Sequence, residues 1–209
     1  MQPRSDHARQ PHARRKRAGA YHHGDLRVAA VSAARAALDR GEPLPPLRDL
    51  AATCGVSHPS LYRHFTNAED LMLSVAAACF REFEEAIRQA VQGQRSPLAR
   101  LQAGCETSIR WGLTHPARYA LMMGPELAGK QHHAEFFSAA RRSFESLTEA
   151  VLACGVRDPT PVAHTILCAL HGLTDFMRKG RTIPGEAASV DDQIRAMCAM
   201  VLSYVRTVD

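Results

Sequence analysis

No stretch of the 209 residues approaches the roughly 20 consecutive apolar side chains that a helix needs to cross a bilayer. The first twenty residues hold charge and proline but no apolar segment of the secretory kind, so a cytoplasmic protein with no membrane partner is expected. Clusters of β-branched residues in strict alternation are missing, which argues against sheets. There is no G-x-S-x-G, no glycine-rich phosphate loop and no H-E-x-x-H, so the chain is not expected to be an enzyme. The six cysteines at 54, 79, 105, 154, 168 and 198 are never closer than 14 residues, which excludes a C-x-x-C clip. Most sit among apolar neighbours, and reduced core thiols are the expected state. His22-His23 with Asp25, and His132-His133 with Glu135, have the residue types of metal ligands. Such pairs at surfaces or helix starts are more often structural, and neither a metal nor a cofactor is expected.

What remains is ordinary globular material, 45% hydrophobic, with an unusual distribution of charge. Residues 1–20 carry six arginines and lysines against Asp6 alone, so all five net positive charges of the chain lie there. Residues 1–22 therefore read as a basic arm that cannot bury enough apolar surface to fold by itself. It is either a tail that condenses on phosphates or a solubilising end.

Behind the arm, alanine, leucine, arginine and glutamate recur at helical spacing, and Pro and Gly punctuate the chain every helix or two. The spacing predicts nine helices. The first covers Asp25–Asp39, capped by Gly24 and Asp25 and stopped by Gly41. Two short helices, Leu47–Cys54 and His58–Phe65, flank Gly55. A long fourth follows Thr66, which forms a capping box with Glu69. Leu98–Thr114, Ala117–Met123, Gln131–Ala153, a helix from Thr160 (as its cap) to Lys179 and, after a loop at 180–189, Val190–Val208 complete the set. The expected class is all-α: a three-helix head and a larger helical body.

Residues 47–65, LRDLAATCGVSHPSLYRHF, are the informative stretch. Two short helices crossing steeply need a small residue at their contact, which Ala51 supplies, and a turn with positive φ, which Gly55 supplies. Leu47, Leu50, Cys54, Val56 and Leu61 point inward. Ser57 is expected to cap the third helix with its side chain, and Pro59 fits its first turn. Outward stand His58, Ser60, Tyr62, Arg63 and His64, able to meet phosphates or base edges.

These residues resemble the TetR helix-turn-helix signature, from Ala51-Ala52-Thr53-Cys54-Gly55-Val56-Ser57 to Leu61-Tyr62-Arg63-His64-Phe65. Tyr21 to Leu26 is similar to the lead-in of one TetR subgroup, and Leu170-His171-Gly172-Leu173 to the Trp-His-Gly segment of one C-terminal class. The sequence departs from the pattern at Ala68, where a basic residue usually clamps a phosphate, and at Leu167, where that C-terminal class has its tryptophan. The resemblance implies a DNA-binding transcriptional regulator, a repressor released from its operator by a small molecule. It implies a DNA-binding domain at 23–83, with its helix-turn-helix at 46–65, and an effector-binding and dimerisation domain at 84–209. It places Arg48, Ser57, His58, Pro59, Ser60, Tyr62, Arg63 and His64 on double-stranded, palindromic operator DNA.

A single head reads few base pairs, so the body must dimerise. Helices eight and nine carry apolar stripes with small residues, and a homodimer through them is expected. An effector of unknown chemistry is expected among the aromatic, methionine and histidine side chains of the middle helices. Trp111, His115, Met122, Phe137, Phe144 and His171 are its candidate contacts.

Overall fold

The computed structural model describes residues 23–181 and 189–208. The basic arm at 1–22 and most of the loop expected at 180–189 lie outside these. Among the described residues there are nine α-helices and no strand: α1 His23–Asp39, α2 Leu47–Thr53, α3 His58–Tyr62, α4 Ala68–Val91, α5 Pro97–Thr114, α6 Pro116–Met122, α7 Ala134–Ala153, α8 Pro159–Arg178 and α9 Val190–Thr207. One 3-10 turn, Pro125–Leu127, joins α6 to α7. No helix among them is long and apolar enough to cross a membrane.

The helix ends show where local chemistry competes. Gly41 (φ 75°) and Gly155 (φ 96°) end α1 and α7 in the left-handed conformation expected of them. The caps differ more. α1 begins at His23, so Gly24 and Asp25 lie within its first turn rather than before it. The box at α4 is shifted by one residue: Asn67 accepts from the Asp70 amide at 2.8 Å, and Asp70 accepts from the Thr66 amide at 2.9 Å. Glu69 instead pairs with Lys130. α8 begins at Pro159, inside which Thr160 already lies, and Asp158 precedes it without a side-chain cap bond. α7 starts three residues later than the periodicity suggests, because the His133 ring caps it, Nδ1 accepting from the Phe136 amide.

Two apolar clusters hold the chain. The first joins Leu26, Ala30, Ala34 and Leu38 of α1 to Leu47, Leu50, Ala51 and Leu61 and to the buried face of α4. It continues past residue 83 into Trp111, Tyr119, Met122 and Phe136, so head and body share one core. The second gathers Ile109, Val151, Ile166, Leu170, Ile194 and Val201 from α5, α7, α8 and α9. Cys79, Cys105 and Cys198 are buried, Cys54 and Cys154 half-buried, and all six cysteines are unpaired. Burial pushes the Cys79 and Cys105 thiols up to about 12, which keeps them inert. Cys168, exposed on α8, is the exception to the expected core placement.

Candidate nucleic-acid interface and effector cavity

The turn between α2 and α3 closes as a Schellman motif. The Gly55 amide donates to Ala52 O (3.1 Å) and the Val56 amide to Ala51 O (3.0 Å). A Cβ on Gly55 would meet nothing within 4 Å, so its φ of 68° alone demands glycine. Ala51 and Leu61 are buried at the helix crossing, while Cys54 and Val56 are half-buried against the same core.

Ser57 does not cap α3 with its side chain. Its hydroxyl lies 2.7 Å from that of Ser60 instead. The reason is local: a cap oxygen accepts from the second or third helical amide. The second residue is Pro59, which has none, and the third, Ser60, already donates to the Ser57 carbonyl. α3 also ends at Tyr62 rather than Phe65, because Phe65 turns into the core and Arg27 takes the His64 carbonyl.

Arg48, Ser57, His58, Pro59, Tyr62 and Arg63 are exposed, and Ser60 and His64 half-buried. The His58 ring stands edge-on to Tyr62, centroids 4.7 Å apart. Among the described residues Arg48 pairs with Asp49, and both are more than half exposed, so its guanidinium can exchange that contact for a phosphate. Leu61 thus anchors a short helix whose other side chains face out.

Arg27 is the residue that periodicity could not reveal. From α1 it donates to the His64 carbonyl, to Ser74 Oγ at 2.6 Å and to Glu135 Oε2 at 3.0 Å, while its guanidinium covers the Phe65 ring. These partners lie 37, 47 and 108 residues away, beyond any local pattern. Beside it, His133 Nε2 lies 3.2 Å from Asp70 Oδ1. Since His133 Nδ1 accepts from the Phe136 amide, its proton is on Nε2 and points at Asp70. Arg118 of α6 makes the second tie, bonding Asp39 of α1 and, at 2.6 Å, Glu82 of α4. His133 and Glu135 are thus occupied in structural bonds, while His132 is exposed. Among the described residues no three His, Cys, Asp or Glu side chains gather as a metal site would require.

Between α4, α5, α7 and α8 lies a cavity of about 560 Å³, within the ordinary range for small-molecule sites. Phe80, Phe83, Ile87, Leu101, Leu147 and Leu170 make it largely apolar. Of the six candidates, Phe144 and His171 line it. Trp111 and Met122 are packed in the filled core, and Trp111 lies against Phe83 and His115. Burial, then the charge of Arg118, lowers the His115 pKa, so its ring is neutral. Phe137 is 40% exposed, away from the wall. Met123 takes the place that its neighbour Met122 was expected to fill. Sequence patterning missed the rest of the polar wall. It includes Tyr119, whose hydroxyl lies 3.1 Å from His171 Nδ1 and is pushed up to about 12 by burial, and the acids Glu84 and Glu149.

Comparison with known proteins agrees with this architecture. The sequence profile of the bacterial regulatory proteins of the tetR family matches residues 32–75, and that of the tetracyclin repressor-like C-terminal domain matches residues 101–201. Comparison with curated proteins gives no match. Among solved structures, a protein of unknown function from Rhodococcus sp. RHA1 is 24% identical with a TM-score of 0.75, over 90% of this chain and 98% of that one. AibR, solved with isovaleryl coenzyme A and operator DNA, is 23% identical with a TM-score of 0.58, over 84% and 96%. The TetR family regulator PfmR from Thermus thermophilus is 18% identical with a TM-score of 0.57, over 84% and 97%. At such identities the structural likeness is one of fold, while the two profiles, spanning head and body, carry the assignment. The chain belongs to the TetR family and is a DNA-binding transcriptional regulator.

Proposed function

We propose that the protein is a homodimeric repressor that sets α3 of each protomer in the major groove of a palindromic operator and lets go when a small molecule fills the cavity. The observation that carries this reading is the outward row His58, Pro59, Tyr62 and Arg63 on a helix whose inward residue, Leu61, is wholly buried. Tyr62, His64 and Ser57 are assigned to phosphates, His58 and Ser60 to base edges, and Arg48 to either.

Dimerisation is assigned to α8 and α9. Gly172 lies mid-helix on α8, where glycine costs about 1 kcal/mol relative to alanine. A Cβ there would meet nothing within 4 Å, so nothing inside the monomer calls for it. Close approach of a second chain does. Cys168, one turn earlier, shares this exposed face, and Ala196, Ala199 and Met200 are exposed on α9.

Release is assigned to the walls that α4 and α7 share with the cavity. Both helices begin at the seam with the head, where His133 and Glu135 of α7 hold Asp70 of α4 and Arg27 of α1. A ligand that parts α7 from α4 loosens Arg27, and with it the His64 carbonyl just past α3. The effector favours that state because it binds it better, which is all that population shift requires.

The test is Gly172→Trp. Sedimentation should show a monomer, Cys168 should become reactive toward a thiol reagent, and affinity for the protein's own upstream DNA should fall by about a hundredfold through lost bivalency. A dimer that keeps full DNA affinity would refute the interface.

A further inference from the structure

The chemistry of the cavity wall narrows the effector. Two carboxyl groups line it, Glu84 of α4 and Glu149 of α7. Two arginines line it as well: Arg88 is neutralised by Glu85, which accepts from its Nε at 2.7 Å and its Nη2 at 2.5 Å, whereas Arg100, whose Nε donates to the Gln94 carbonyl at 3.0 Å, keeps its charge. With Arg88 neutralised by a residue outside the wall, two glutamates stand against Arg100 alone, so the acid is in excess by one. Glu84 is half-buried and its Oε2 is sealed from solvent with no hydrogen-bond partner. A carboxylate in that position is unstable unless a cation or a donor is brought to it. Burial, above all, pushes the Glu84 pKa up, with the neighbouring charge of Glu149 in support, against Ser146 and Ser143 of α7 and the charge of Arg142, an exposed residue that lines no part of the wall. The terminal torsion of a glutamate is broad and roughly twofold, so a modest rotation presents either oxygen to the cavity.

We infer that the cavity takes a largely apolar molecule bearing a protonated amine, with the amine meeting Glu84 and the apolar part lying among Phe80, Phe83, Phe144 and Leu147. This rests on the reading of the cavity as the effector site. The amine supplies the donor that Glu84 Oε2 lacks and offsets the excess acid of the wall, to which a carboxylate or phosphate ligand would add. The Tyr119–His171 pair on another part of the wall offers hydrogen bonds to a second polar group. A ligand so placed touches α4 through Glu84 and α7 through Phe144 and Leu147, the two helices that run to the seam with the head.

Decylamine, decanol and decanoate, below their micellar concentrations at neutral pH, separate the possibilities. They share one apolar chain and differ only in the charge of the head group. Trp111 is the sole tryptophan and packs 5.3 Å (ring centroids) from Phe83 of the wall, so its fluorescence reports occupancy. Decylamine should bind about tenfold tighter than decanol (about 1.4 kcal/mol), and decanoate more weakly than both. In Glu84→Gln the preference for the amine over the alcohol should fall below about threefold, and Glu149→Gln should reduce it less. Equal binding of amine and alcohol to the wild type, or tighter binding of decanoate, would overturn the amine assignment while leaving the cavity a ligand site. If none of the three alters the fluorescence or the thermal midpoint, the effector reading of the cavity falls as well.

Discussion

The seam between head and body and the cavity within the body are built by opposite rules. The seam is filled and cross-tied: alanines and leucines close the core there, and Arg27 and Arg118 each bridge helices from distant parts of the chain. The cavity is bounded by large apolar side chains that do not meet across it, and one sealed oxygen of Glu84 lacks a hydrogen-bond partner. A packed region has few arrangements and moves as a unit; a hollow one changes shape at small cost. The contrast teaches where deformation enters and where it must be passed on rigidly.

Stability measurements break or sharpen that contrast most strongly. Leu61→Ala, in the filled head, should cost about 2–5 kcal/mol in chemical denaturation. Phe144→Ala should cost less despite its larger side chain, because part of its surface already faces empty space. Equal losses would mean that the cavity wall is as tightly packed as the seam.

Next is the tie itself. Arg27→Ala removes the cation that Asp70 and Glu135 share, leaving Glu135 to Arg81 and Asp70 to His133, and should lower operator affinity by about 1–3 kcal/mol. A double-mutant cycle with Glu135→Gln should show non-additivity, since the two side chains touch. Strict additivity would sever the route from α7 to α3. Of similar or smaller size is Tyr62→Ala, which should weaken binding to every duplex by about 1–2 kcal/mol and leave the denaturation midpoint unchanged, as an exposed phosphate contact should. A shifted midpoint would make Tyr62 a structural residue.

The smallest effect is expected in acid. Hydrogen bonding from Arg118 holds the Asp39 carboxyl below its usual value, so this tie contributes stability above the ordinary carboxylate pKa and loses it as pH falls through the depressed one. Asp39→Asn should flatten that part of the pH–stability curve. An unchanged acid limb would show that Arg118 is held by Glu82 alone.

The same contrast explains what the sequence made legible. The helix-turn-helix is local, and Gly55, Ala51, Leu61 and the polar row lie within one window whose constraints agree. Residue type named six cavity candidates, of which only Phe144 and His171 line the wall, because type does not say which way a side chain points. Met122 and Met123 were not separable, because adjacent helical residues point about 100° apart and only the packed neighbours decide which one faces the space. Glu84 looked like one more charge on an amphipathic helix. The cap expected at Thr66 slipped by a residue to Asn67, because the two are competing acceptors side by side. The ties through Arg27 and Arg118 were invisible because tertiary distance, not spacing, creates them.

The most direct trial of the central claim is selection from a random duplex pool by the wild type and by a Ser60→Ala, His58→Ala double variant. Groove reading by α3 of a dimer predicts a palindrome for the wild type, with half-sites about 34 Å or a multiple apart, and a changed half-site for the variant. Recovery of the same sequence by both proteins, or of no sequence by the wild type, would contradict it.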